Sequence, residues 1–211
     1  ATDDESLAAI MLELQLRGCH NINWVSPTHQ LPELVRALAI AARQGLSVPI
    51  VHNGNGYDSV AALRLLDGIV DIYMPDLKYA DAATGELLSG VTDYPGRARA
   101  ALAEMRRQVG ADWETGADGV LERGLLVRLL ILPAGLAGVT ESLRWLAEVL
   151  GPDVAVSLLS QYRPAHRAAE CRPLARPVAT DDFRAAVSAL ARWNSSRHTL
   201  VQPFAALAGD R

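Results

Sequence analysis

The stretch Asp67-Gly-Ile-Val-Asp-Ile-Tyr-Met-Pro-Asp-Leu-Lys-Tyr79 decides the fold. Ile69 to Met74 reads as a buried strand of a parallel sheet. At its C-terminal end, Asp76 and Lys78 are two residues apart, so on an extended backbone their side chains face the same side. Opposite charges at that end of an apolar strand mark a site, because β/α barrels and open α/β sheets bind ligands there. A surface ion pair in a βα loop is the plainer reading of these two residues alone, and such pairs are energetically weak.

On both sides of this segment, helical and extended patterns alternate. Leu7, Ile10, Met11 and Leu14 make a helical stripe, and Asn21 to Ser26 a strand stopped by Pro27. Leu31, Leu34, Val35 and Leu38 form the next stripe, and Val48 to His52 the next strand. Tyr57 to Leu66 reads as helix, as does a face of Ala98, Ala101, Leu102, Met105 and Val109. Gly110 to Gly124 reads as a loop broken by Gly116 and Gly119. Leu125 to Leu132 is the most apolar strand. A stripe of Val139, Leu143, Leu146 and Leu150 precedes a strand at Val154 to Leu159, and Thr180 is placed to cap a last helix through Phe183, Val187 and Leu190. Five near-continuous apolar strands, each followed or preceded by a helix, imply a parallel sheet covered on both faces. With right-handed crossovers that gives a partial (β/α) barrel or a doubly wound sheet. No linker or low-complexity tract interrupts the chain, so residues 1–211 are expected to form a single domain.

Each strand runs into an unusual polar group. The first reaches Ser26-Pro27-Thr28-His29, and the second His52-Asn53-Gly54-Asn55-Gly56-Tyr57. The third ends at Asp76 and Lys78, the fourth carries Arg128, and the fifth ends at Gln161-Tyr162-Arg163-Pro164 with His166 beyond. In a parallel sheet these ends lie on one rim, so five scattered clusters become one candidate site. Arg128 interrupts Leu-Leu-Val-Arg-Leu-Leu-Ile-Leu, where a guanidinium needs a partner or a ligand anion. The Asn-Gly-Asn-Gly run reads first as a turn, since both residue types tolerate positive φ, and second as backbone that a ligand can approach closely. His29 and His52 stand between loop or core roles and a role in the site. The four tryptophans read as packing residues.

Half of the 211 residues are hydrophobic and the formal net charge is −4, with no block of like charges. No basic stripe of the kind a nucleic-acid binder carries is present. No run is apolar enough for a membrane span, and no signal-peptide pattern opens the chain. Cys19 and Cys171 are far apart and read as reduced thiols of a cytoplasmic protein. They have no zinc-site spacing, and no phosphate-loop or dinucleotide fingerprint appears. The chain opens directly on Thr2 and Glu5, a capping-box pair, without an initiator methionine. Preceding sequence is therefore expected.

Several longer motifs carry a resemblance. Cys19-His-Asn-Ile-Asn-Trp-Val-Ser-Pro-Thr-His29, Pro49-Ile-Val-His-Asn53 with Gly56-Tyr57-Asp58, Val70-Asp-Ile-Tyr-Met-Pro-Asp-Leu-Lys-Tyr79, Glu104-Met-Arg-Arg-Gln-Val-Gly110 and Gln161-Tyr-Arg-Pro164 occur in that order. Together the chain resembles radical S-adenosylmethionine (SAM) proteins, in the subgroup similar to pyruvate formate-lyase activating enzyme. The resemblance implies a partial (β/α) barrel whose first βα unit, with the CxxxCxxC loop that holds a 4Fe–4S cluster, is missing from this chain. It implies reductive cleavage of SAM to a 5′-deoxyadenosyl radical, and hydrogen abstraction from a glycine of a partner protein or from another substrate. An electron donor such as flavodoxin or ferredoxin would be a second partner. Carried over by position, Ser26, Thr28, Asn53, Asp76, Lys78 and Arg128 fall on the SAM side, and His29, Tyr162, Arg163 and His166 on the substrate side. Leu129 follows Arg128 where the family has histidine. His52 stands in place of tyrosine, and Gly54-Asn55 in place of a Thr-Ser pair. Two distant cysteines do not replace three closely spaced thiolates, so this chain alone is expected to hold no cluster.

Two other function classes fit the residues. A barrel aldolase would use Lys78 to form a Schiff base, provided that the lysine is desolvated. A non-catalytic relative would bind a nucleotide or a protein partner with the same rim.

Overall fold

A computed structural model describes residues 2–204. Its centre is a parallel sheet of six strands: β1 (Ile22–Val25), β2 (Ile50–Asn53), β3 (Ile72–Tyr73), β5 (Leu121–Leu130), β6 (Ala155–Leu159) and β7 (Leu200–Val201). The seventh strand, β4 (Glu114–Thr115), pairs antiparallel with the start of β5. The parallel strands lie side by side in chain order, β1-β2-β3-β5-β6-β7. A doubly wound sheet reverses its order at a switch point, and no reversal occurs here. Sequential order with right-handed crossovers puts every crossover helix on one face of the sheet.

The helices are α1 (Asp4–Leu16), α2 (Leu31–Arg43), α3 (Val60–Arg64), α4 (Ala82–Ser89), α5 (Tyr94–Val109), α6 (Val139–Trp145) and α7 (Thr180–Trp193). The alternation of β5 shows how the layers form. Val127, Leu129 and Ile131 are almost fully buried in the core against the helices, whereas Arg128, Leu130 and Leu132 face a cavity on the other side. Near-continuous apolar strands arise because one face packs on the helices and the other lines the cavity with leucines. The core is continuous from Met11 and Trp24 through Leu102 and Met105 to Leu143 and Leu190. Truncating Leu102, which is completely buried, would cost about 2–5 kcal/mol.

All five expected strands are present, and the boundaries move by a few residues. Several features differ from the sequence expectation, among them the short helix α4. The Gly110–Gly124 stretch is not a plain loop: Thr115 and Leu121 pair across a turn that holds Gly116 and Gly119, and β5 begins at Leu121 rather than Leu125. Two-residue β4 is too short to show an alternation. β7 adds a sixth parallel strand, also of two residues. The helix caps shift by one residue. Asp3, not Thr2, accepts the Ser6 amide at 2.7 Å, because an aspartate caps as well as a threonine and stands one residue closer. At α7 the N-cap is Ala179 rather than Thr180; its free amide is satisfied by Asp182, whose other oxygen accepts from the Ala134 amide.

Among the described residues, no helix is long and apolar enough to cross a membrane.

Candidate functional site

Parallel register sets the site. β3 ends at Tyr73, but the chain stays extended and rejoins β5 two residues later: Arg128 N–H donates to the Pro75 carbonyl and Leu77 N–H to the Arg128 carbonyl, both at 2.9 Å. This bridge puts Asp76 beside Arg128. Asn53, at the end of β2, faces the same side.

The side chains then close into one cluster. Arg128 Nε donates to Asp76 Oδ1 at 2.7 Å, and the Arg128 Nη2 group donates to Asn53 Oδ1 at 2.7 Å. Lys78 Nζ donates to Asp76 Oδ2 at 2.9 Å. One carboxylate is thus held between two cations, as the two-residue spacing of Asp76 and Lys78 requires on an extended backbone. The three side chains are 25–40 % exposed, so water reaches them. Their charges leave an excess of one positive charge. Arg128 offers five N–H groups and Lys78 three; of these, two and one are used within the cluster. Donors therefore remain for an anionic group, and each Asp76 oxygen keeps a lone pair for a hydroxyl.

The cluster opens on a cavity of about 830 Å³. Asp76, Lys78 and Arg128 supply one polar group of its lining, Gln161, His166, Arg167 and Glu170 another, and leucines from Leu87 to Leu174 the apolar wall. A cleft of this size, apolar with a few convergent polar groups, is the usual form of a small-molecule site. Two short 3-10 turns, His166–Glu170 and Arg172–Ala175, close the far side. They are tied down by the Tyr162 hydroxyl, which donates to the Leu174 carbonyl at 2.7 Å. Ser26 after β1, Ala134 after β5 and His166 after β6 are non-glycine residues with φ of 50–58°. All three lie beyond C-terminal strand ends, and such strain collects at functional rims, at about 1–3 kcal/mol each.

The ten sequence candidates divide. Asp76, Lys78, Arg128, Tyr162 and His166 line the cavity, and Asn53 joins through its bond to Arg128. Ser26, Thr28, His29 and Arg163 are not among its lining residues. Ser26 N–H donates to the Asn53 carbonyl at 2.8 Å, so it supports the β2 end through backbone alone. Thr28 donates its hydroxyl to Asp58 Oδ1 at 2.6 Å. His29 and Arg163 are exposed on the rim. His52 points the other way: it is fully buried on the helix face, beside Asp58 and with its ring 5.6 Å from that of Tyr73. Burial holds its imidazole below the ordinary histidine range, while the Asp58 charge pulls upward.

Glycines in the Asn53-Gly54-Asn55-Gly56 run serve the protein's own packing. A Cβ on Gly54 would sit 2.9 Å from the His52 ring, and one on Gly56 would sit 2.6 Å from the Asp76 carbonyl oxygen. Gly56 also has φ of 75°, which favours glycine. Sequence reading missed Tyr94, which anchors this loop; a tyrosine preceding a proline at a helix start was the available sign.

The two cysteines lie at opposite ends of the sheet. Cys19 is exposed in the turn before β1, whereas Cys171 lines the cavity beyond the C-terminal strand ends. They cannot share one cluster, and no group of three potential metal ligands occurs among the described residues. These residues do not fit a 4Fe–4S cluster.

No protein-family model matches the chain. Among curated proteins, Uncharacterized protein MJ0674 of Methanocaldococcus jannaschii is 26 % identical over 176 residues, which cover 82 % of this chain and 47 % of that protein. The chain therefore spans about half the length of the relative it matches.

Proposed function

We propose that this chain is the SAM-binding part of a radical SAM protein similar to pyruvate formate-lyase activating enzyme. What carries the reading is the Asn53–Asp76–Lys78–Arg128 cluster at the mouth of the cavity. SAM presents a carboxylate, a ribose diol and a sulfonium. The spare donors of Lys78 and Arg128 suit the carboxylate, and Asp76 suits the diol. The motif resemblance and the unreversed strand order support a partial barrel of the radical SAM type. In this reading the cluster cysteines come from a CxxxCxxC segment outside residues 1–211, in a first βα unit. The hydrogen-abstraction activity, the glycyl-radical-type protein substrate and the flavodoxin or ferredoxin donor belong to the whole protein. A cytoplasmic setting goes with the two unpaired cysteines.

The Schiff-base reading has less support. Lys78 is ion-paired at 2.9 Å and 40 % exposed, unlike the desolvated lysine that such chemistry uses.

The test is a calorimetric SAM titration of the full-length protein, prepared anaerobically, with Lys78→Ala and Asp76→Ala alongside. Each substitution is expected to weaken binding by about 1–3 kcal/mol, the cost of a lost charge-assisted hydrogen bond. Absence of SAM binding, or equal affinity in both variants and the parent, would overturn the proposal. A full-length sequence without CxxxCxxC would favour a non-catalytic relative.

A further inference from the structure

Tyr94 is the first residue of α5, outside the cavity, yet its hydroxyl reaches two βα loops at once. It accepts from Lys78 N–H at 2.8 Å, and the carbonyls of Asn55 and Asp76 lie 2.9 and 3.0 Å away. A hydroxyl has one hydrogen, so the two carbonyls share it while the Lys78 amide fills a lone pair. Asp76 O and Lys78 N are the backbone atoms on either side of Leu77. The same oxygen therefore holds both ends of the turn from which the Asp76 and Lys78 side chains project.

The surroundings are built to keep that oxygen in place. Tyr94 is 3 % exposed. Its ring is stacked on Tyr57 with centroids 6.0 Å apart and meets the edge of Tyr79 at 5.3 Å. Gly85 lets the Val91 carbonyl and the Tyr94 Cβ come close, since a Cβ there would lie 2.6 Å and 3.4 Å from them. Gly56 does the same from the other side, where a Cβ would lie 3.4 Å from the Tyr94 oxygen. Burial pushes the hydroxyl well above the ordinary tyrosine range, so it stays protonated and remains a donor.

We infer that Tyr94 is a positioning residue: its hydroxyl clamps the Asn55 loop to the Asp76–Lys78 turn and so fixes the spacing of the anion-binding cluster. Two backbone carbonyls share its hydrogen and one amide donates to it, and no other side chain bonds these three groups among the described contacts. The inference rests on the SAM reading for its ligand but not for its geometry.

Tyr94→Phe tests it, because phenylalanine keeps the contacts with Tyr57 and Tyr79 and removes only the oxygen. In the full-length protein, the Lys78 amide should lose its hydrogen-exchange protection by at least about tenfold, while amides in the middle of α5 exchange as before. SAM affinity should fall by about tenfold or more, and the unchanged exchange in the middle of α5 separates this loss from general unfolding. Unchanged Lys78 exchange overturns the inference, whatever happens to SAM. Faster exchange with unchanged SAM affinity also overturns it, since the clamp would then not set the site. If the parent protein binds no SAM, the proposed function fails; the inference is then judged by the rate at which an acylating reagent modifies the Lys78 side chain, which must rise in Tyr94→Phe, and an equal rate overturns it. Gly56→Ala, which pushes on the same contact from the loop side, should reproduce the exchange result.

Discussion

His52 and Asn53 are consecutive in β2, yet they belong to two polar systems that differ in almost every physical respect. Asn53 faces the cavity and joins Arg128, Asp76 and Lys78, where water has access and spare donors remain. His52 faces the helices and belongs to a dry layer. There the Tyr73 hydroxyl donates to Gln108 Oε1 at 2.6 Å, and Gln108 Nε2 donates to the Leu63 carbonyl and to Glu104 Oε1, both at 2.8 Å. Gln108 is 6 % exposed and Glu104 7 %. The first system has hydrogen-bonding capacity left over at the mouth of a cleft; the second, apart from His52 and Asp58, has used its capacity internally. Polarity alone does not mark a site. Unspent capacity facing an open volume does, and that separates Arg128, with free donors at the cleft, from Gln108, whose bonds tie the core.

The strongest way to break this distinction is Gln108→Leu. It strands the Tyr73 hydroxyl in a dry layer, whereas the Leu63 carbonyl keeps the Leu66 amide, so unfolding free energy should drop by about 1–3 kcal/mol. Urea denaturation measures this, and SAM binding should change little. A loss below about 0.5 kcal/mol would mean that the helix-side layer is wetter than its burial implies.

Arg128→Leu should show the opposite balance. Asn53 and Asp76 lose a partner but keep access to water, so stability should fall by only about 1 kcal/mol. SAM affinity should fall by about 1–3 kcal/mol. If the substitution instead stabilised the protein without affecting SAM, Arg128 would be a buried charge whose removal relieves the strand.

The smallest effect sharpens the dry side. Burial holds His52 neutral in the folded protein, whereas the unfolded chain takes up its proton near pH 6.5. The unfolded state therefore binds more protons below that pH, and stability should decline as pH falls through it, by at most about 1.4 kcal/mol per pH unit. His52→Leu should flatten the slope in thermal melts between pH 6.5 and 5. Glu104 acts in a separate window. Its hydrogen bonds from Arg107 and Gln108 hold its carboxyl down to about 2, so its contribution is full above the ordinary value of 4.5, declines as the pH falls below it, and is gone below about 2.

The same contrast explains how much of the molecule was legible in the sequence. Five strands could be read because burial on both faces demands unbroken apolar runs. Asp76, Lys78 and Arg128 could be read because charge inside such runs is rare and the two-residue period fixes its side. β4 and β7 escaped because two residues carry no period. α4 escaped because its Asp81 cap and the close approach at Gly85 are local matters without a long stripe. Ser26, Thr28 and His29 follow β1 at the rim, where the Ser26 amide meets the Asn53 carbonyl and the Thr28 hydroxyl meets Asp58. Tyr94 left only a faint sign, a tyrosine before a proline at a helix start, because its importance lies in which backbone atoms its oxygen meets, a fact of tertiary geometry.

The unreversed strand order has a consequence for biosynthesis. Each parallel strand pairs with the parallel strand made just before it, from β1 through to β7. As the chain leaves the ribosome at roughly 5–20 residues per second, every new βα unit meets a template that is already complete. No strand must wait for a distant partner, so the loop-closure cost of a parallel sheet falls due in small instalments. Shortening the chain from its C-terminal side would accordingly shed β7 and α7 as a terminal unit while leaving every interior strand pair intact.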